Sequence, residues 1–118
     1  MSIKCCARSE CPIASSLDIF GDRWTLIILR DMLVGKSKFG EFLASAENIA
    51  TNVLSKRLEL IEGAGLADRV VYQQRPTRYE YKLTDKGKAL LPILQEMCKW
   101  GNQYMPETWV LSTALINE

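Results

Sequence analysis

At 118 residues the chain is long enough for one domain with its own core and little more. Apolar residues make up 47% and charged residues 25%, with a net charge of +1, which is ordinary globular composition and sets aside a disordered or fibrous chain. No apolar run approaches the roughly 20 residues that span a bilayer, and the absence of histidine removes His-dependent base catalysis and any Cys/His zinc site.

Residues 1–10 carry no periodicity and read as an arm. The opening Met-Ser-Ile-Lys-Cys-Cys lacks the apolar core of a signal peptide, so a cytoplasmic protein is expected. Cys11-Pro12 begins the ordered part, because proline suits the first turn of a helix. Ile13, Leu17 and Phe20 are spaced along one face of a short helix that stops at Gly21. Asp22 is placed to cap the next helix. That helix, from Trp24 to Leu33, is apolar nearly all round and is expected to be the buried spine, ended by Gly35. Ser37 is expected to open a short helix with Phe39, Phe42 and Leu43 inward and Glu41 near the capping-box position. Residues 44–48 form the turn that follows.

The stretch from Ile49 to Leu83 is the most informative. Val53, Leu54, Leu58 and Ile61 recur at helical spacing, while Thr51, Asn52, Ser55, Lys56, Glu59 and Glu62 fall mostly on the other face. Gly63 and Gly65 offer a stop, since glycine enters the left-handed conformation without a Cβ penalty. Arg69–Gln73 is rich in strand formers. From Arg78 the chain alternates strictly, with Tyr79, Tyr81 and Leu83 on one face and Arg78, Glu80 and Lys82 on the other. A short polar turn, Gln74-Arg75-Pro76-Thr77, joins the two strands. Helix, glycine stop, strand, short turn and strand compose the recognition helix and wing of a winged helix-turn-helix, in a mainly α fold with a small β-hairpin.

Beyond the wing, Thr84 is expected to cap a long last helix, with Asp85 in its first turn. Leu90, Leu91, Leu94, Met97, Cys98 and Trp100 make a broad apolar stripe along it. Pro92 is expected to kink it, and Gly101 and Pro106 to weaken its end. Trp109, Val110, Leu111, Leu115 and Ile116 form one more apolar patch in a tail expected to pack on a partner or back on the domain.

Charge is unevenly spread. Residues 36–88 hold ten Lys or Arg against seven Asp or Glu, and the remainder holds five against seven. That fits a DNA-facing middle, although many neutral proteins show as much. A polar helix face is by itself most often a solvated one. The neighbouring wing, with Arg75 and Arg78 flanking Pro76-Thr77, favours a DNA face instead. Asn52 suits adenine, and Lys56 suits guanine or a phosphate. Lys38, at the start of its helix, suits a phosphate.

The four cysteines, Cys5, Cys6, Cys11 and Cys98, are expected to be thiols, and their spacing contains no C-x-x-C knuckle. Cys11, near a helix N-terminus, is the candidate redox sensor. The plainer reading is a small packed residue. Cys5 and Cys6 could resolve an oxidised Cys11, and Cys98 belongs to the apolar stripe. Trp24, Trp100 and Trp109 read as packing residues. With no glycine-rich phosphate loop and no clustered carboxylates, no enzyme activity, cofactor or metal is expected.

The ordered marks Cys11-Pro12, Gly21-Asp22-Arg23-Trp24-Thr25-Leu26, Leu29-Arg30-Asp31, Phe39 with Glu41-Phe42, Ser55-Lys56-Arg57-Leu58, Tyr81-Lys82-Leu83-Thr84 and Leu90-Leu91-Pro92 resemble the HxlR-type winged helix-turn-helix transcriptional regulators, relatives of the MarR-like regulators. The resemblance runs from about Cys11 to Trp109. It implies a DNA-binding domain over 11–109, a flexible arm at 1–10 and a tail at 110–118. It also implies a homodimer, built by the first and last helices, on an imperfect palindrome. Some members sense oxidants or electrophiles through a cysteine at the position of Cys11, and relatives of the fold take small-molecule effectors. The DNA-contact set expected here is Lys38, Thr51, Asn52, Ser55, Lys56, Arg57, Arg75 and Arg78.

Two departures bear on the operator. The family usually has Ser, then Pro-Lys, at the start of the recognition helix, where this chain has Ala50, Thr51 and Asn52. The cap is then expected from Asn48 or Thr51. Glu59 stands where a basic residue is common. The alternative function is a winged-helix module that docks to protein and leaves DNA alone.

Overall fold

The computed structural model describes residues 9–105 and Glu107. The expectations for Cys5, Cys6, Pro106, Trp109 and the apolar tail patch lie outside them. In chain order the elements are α1 (Pro12–Phe20), α2 (Thr25–Leu33), α3 (Phe39–Leu43), α4 (Thr51–Gly63), β1 (Ala67–Gln74), β2 (Thr77–Leu83), α5 (Asp85–Lys88) and α6 (Leu91–Tyr104). This is the expected mainly α winged helix-turn-helix.

The core is where α2, α3 and α4 meet. Ile28, Leu29 and Met32 pack with Phe42, Ile49, Leu54, Leu58, Ile61 and Leu66, all almost fully buried. Asp22 does cap α2, although it sits three residues before it. Its carboxylate accepts from the Trp24 and Thr25 amides at 2.8 and 2.9 Å and from the Thr25 hydroxyl. Burial alone would raise that carboxyl. These hydrogen bonds and the Arg57 charge outweigh burial and hold it below its ordinary value.

The glycine stop after α4 is carried by Gly65, at φ +77, while Gly63 remains inside the helix. The Gly65 amide donates to Glu62 and the Leu66 amide to Ile61, each at 3.0 Å, the paired closure of a Schellman turn. The start of α5 holds that turn from outside. Thr84 Oγ1 donates to the Gly65 carbonyl at 2.6 Å, and Lys86 Nζ donates to the Ala64 carbonyl at 2.7 Å. Gly87 lets this happen, because a Cβ there would run into the Leu66 carbonyl oxygen.

β1 and β2 form a two-stranded antiparallel sheet in register from Ala67↔Leu83 to Gln74↔Thr77, with an irregularity between Val71 and Gln73. The turn is shorter than expected, since only Arg75 and Pro76 lie outside the ladder. Tyr81 and Leu83 pack on the core, whereas Tyr79 on the same face is exposed. The hairpin has left the domain by that point, and the Arg69 guanidinium covers the Tyr79 ring at 4.4 Å instead.

Four expectations about helix ends and caps are corrected. The short helix opens at Phe39 and not at Ser37, because the Ser37 carbonyl accepts from the Tyr81 amide at 2.8 Å and Lys38 bridges to Glu80. The α4 cap position is Ala50, with no side-chain cap, so neither Asn48 nor Thr51 does that work. Asn48 is instead a left-handed residue at φ +58 in the preceding turn. Thr84 caps only the four-residue α5, and the chain breaks at Ala89-Leu90 before α6. Pro92 therefore sits in the first turn of α6, where its missing amide costs nothing, and produces no kink in a longer helix.

Among the described residues, α1 and α6 keep apolar faces exposed. α1 has no buried residue, with Ile13 72% and Leu17 48% exposed. The stripe on α6 splits in two. Leu94 is buried and Cys98 half-buried, while Ile93, Met97, Trp100 and Tyr104 face out. Trp100, expected to pack, is 61% exposed and meets the Tyr104 ring at a tilt, with 5.4 Å between ring centres. No helix of the described residues is long and apolar enough to cross a membrane.

Candidate nucleic-acid interface

The apolar spacing of α4 fixes which side of the helix is left for solvent. With Leu54, Leu58 and Ile61 buried, Thr51, Asn52, Ser55, Lys56, Glu59 and Glu62 are all exposed. Asn52, Ser55, Lys56 and Glu59 line one wall of an open groove of about 510 Å³, with Phe39 of α3 beside them and Arg69 and Tyr81 of the hairpin opposite. The outer face of α4 and the base of the hairpin thus look onto the same space. Arg75 and Arg78 are exposed at the far end of the hairpin. A strand of eight residues, at about 3.3 Å each, carries that tip well clear of the core.

Lys38 joins this side of the molecule. It is the residue before α3, and its ammonium lies 4.8 Å from the centre of the Tyr72 ring. The Glu41 carboxylate accepts from the Ser37 and Lys38 amides at 2.8 and 3.1 Å, and these bonds hold it below its ordinary pKa. The Lys38 amide is therefore already engaged by Glu41. Arg57 stands apart from the rest of the expected set. It is half-buried and pairs with Asp22 at 3.6 Å, so its charge is engaged within the chain. Cys11 is exposed at the residue before α1, where its carbonyl accepts from the Ser15 amide. Burial pushes the Cys98 thiol up.

Pattern reading missed the network that ties the turn before α4 to α2. Arg30 of α2 sends a two-pronged contact to Glu47 in the turn before α4, with Nη1 to Oε2 at 2.9 Å and Nη2 to Oε1 at 3.0 Å. The same guanidinium donates to Asp31 Oδ1 from Nε and Nη2 at 3.0 and 2.8 Å. Ser45, itself buried, donates to Asp31 Oδ2 at 2.9 Å and reaches Glu47 Oε1 at 3.1 Å. The Arg30 hydrogen bonds hold the Glu47 carboxyl down at about 2. Arg30-Asp31 was visible as a dipeptide, but nothing in the spacing ties it to a glutamate 17 residues on.

The relatives agree with this architecture. The HxlR-like helix-turn-helix family model matches residues 19–109. YvaP of Bacillus subtilis, named an HTH-type transcriptional regulator, is 40% identical over 105 residues, covering 89% of this chain and 94% of its own. Rv3095 of Mycobacterium tuberculosis, named likewise, is 39% identical over 94 residues, and the match covers 80% of this chain but only 59% of that longer protein. Among solved structures, the redox regulator HypR in its reduced form superposes with a TM-score of 0.73 at 35% identity, covering 84% of this chain and 100% of that one. The chain belongs to the HxlR-like helix-turn-helix family, whose members are transcriptional regulators and not enzymes.

Proposed function

We propose that two copies of this chain bind one palindromic operator in the cytoplasm, each placing α4 in a major groove and its hairpin against the neighbouring backbone or minor groove. The observation that carries this reading is the shared groove, walled by the exposed polar face of α4 and by the base of an arginine-tipped hairpin. Thr51, Asn52, Ser55 and Lys56 are the residues proposed to face bases, and Lys38, Arg75 and Arg78 the phosphates. Arg57 is a weaker contact, because Asp22 already holds it. The uncovered faces of α1 and α6 are the surfaces proposed to pair the copies. Half-sites lie about 34 Å apart per helical turn, so a small change at that interface spoils docking of both helices at once.

A gel-shift series on duplexes selected from random sequence tests the reading. A salt-sensitive, sequence-dependent shift is expected. Its absence would favour a protein-docking module, to which the same uncovered faces are open.

The input to such a regulator is a small molecule or an oxidant. HypR, a relative in fold and sequence, is named a redox regulator. Cys11, exposed at the start of α1, is the thiol in this chain proposed to respond. A Cys11→Ser variant is expected to stay on DNA when oxidant is added. Release equal to that of the unmodified protein removes Cys11 from the response.

A further inference from the structure

α4 enters the fold without a local lock. Its cap position is Ala50, which has no side-chain hydrogen bond to offer, and the residue two before that, Asn48, is left-handed. A helix begun this way has few local contacts that set its direction. Leu54, Leu58 and Ile61 seat the helix on the core, and α2 fixes the turn that leads into it. The Arg30 guanidinium grips Glu47 with two near-parallel bonds of 2.9 and 3.0 Å, and Ser45 ties the same turn to Asp31.

Such a fork is selective for orientation, because both bonds survive only when guanidinium and carboxylate are coplanar. A partly buried ion pair of this kind adds little net stability compared with apolar packing of the same shape. What this one supplies is a single arrangement of the turn, with Ile49 buried directly after it and Thr51 two residues further on.

We propose that Arg30 and Glu47 are positioning residues for DNA recognition: they touch no base, but they set the pose in which α4 presents Asn52, Ser55 and Lys56. The proposal rests on the DNA-binding reading above. It predicts that loosening the clamp weakens discrimination between sequences far more than attraction to DNA in general. Phosphate attraction depends on charge and tolerates a few degrees of tilt, whereas a two-bond base contact does not.

The test compares the duplex that the unmodified protein enriches from a random library with a scrambled duplex of equal length. Arg30→Lys keeps the charge and removes the fork. Glu47→Gln keeps the shape and lies at the edge of the network, 30% exposed, so it remains foldable if the lysine variant is not. Each is expected to lower the ratio of specific to non-specific affinity about tenfold, the effect of removing a single two-bond base pairing. Affinity for the scrambled duplex and the salt slope should stay as they were. Ile28→Val, which trims the core on the same helix without touching the clamp, should melt earlier and keep the ratio. If both clamp variants keep the ratio, or Ile28→Val lowers it equally, the clamp is only structural. If the unmodified protein enriches no sequence at all, the DNA-binding reading falls and the positioning role with it.

Discussion

Asn52 and Glu47 lie five residues apart and illustrate two kinds of side chain at one site. Asn52 is exposed on α4 and lines the open groove, so its effect depends on what it meets there. In Asn52→Ala a binding-site selection should show relaxed preference at one base-pair position, with a penalty of about 1–3 kcal/mol on the preferred sequence. Equal weakening on every sequence would mean that Asn52 reads nothing. Glu47 acts inside the fold. The Arg30 hydrogen bonds lower its carboxyl from the ordinary 4.5 to about 2. Because folding lowers the value, the stabilisation is fully present above about pH 4.5 and fades as pH falls towards 2. Glu47→Gln should cost about 1–3 kcal/mol near neutral pH, and its stability should converge on that of the unmodified protein in acid. Denaturant melts from neutral pH down to about pH 2 would show the convergence. A gap that persists at the acid end would mean the network matters for shape and not for charge.

Among the elements, α4 and the hairpin were the most legible. Their periodicities differ, about 3.6 against about 2, and each repeats often enough to declare itself. The boundaries of α4 at Thr51 and Gly63 follow from the apolar spacing and the glycine stop. What was hidden was how one element ends against another. Thr84 looked like the start of a long helix because Asp85 and the leucines beyond continue a helical pattern. The contacts of Thr84, Lys86 and Gly87 with the end of α4 instead hold a separate short turn of helix there. The hairpin carries its own prediction. Arg75 and Arg78 are exposed at its far end. Arg75→Ala and Arg78→Ala should each reduce the salt slope of binding by about one unit for every phosphate the arginine neutralises. Filter-binding titrations between low and physiological salt would measure this, and an unchanged slope would take the hairpin out of the interface. Thermal melts should hardly move, since neither side chain packs on the core.

For the whole molecule, the question is what covers α1 and α6. Ile93, Met97, Trp100 and Tyr104 lie along one outward face of α6, with spacings of four, three and four residues. An exposed apolar face of this kind marks an association surface more often than a solvent-facing one. Met97→Asp should shift the protein towards single copies in sedimentation velocity, with a dissociation constant raised at least about tenfold. Under the proposed two-copy reading, operator affinity should drop with it. A variant that sediments unchanged would point to a different pairing surface.

The sequence alone determined the class of the fold, the order of its elements and which face of α4 stays polar. Each of these rests on local patterning, where a residue's neighbours in the chain are also its neighbours in space. Tertiary structure decided that Arg57 pairs with Asp22, that Trp100 is left uncovered, and that α5 and α6 are separate helices. It also decided that the turn before α4 is tied to an arginine on α2 and that α4 has no side-chain cap. These contacts join side chains far apart in the chain, and only the packed fold brings them within reach.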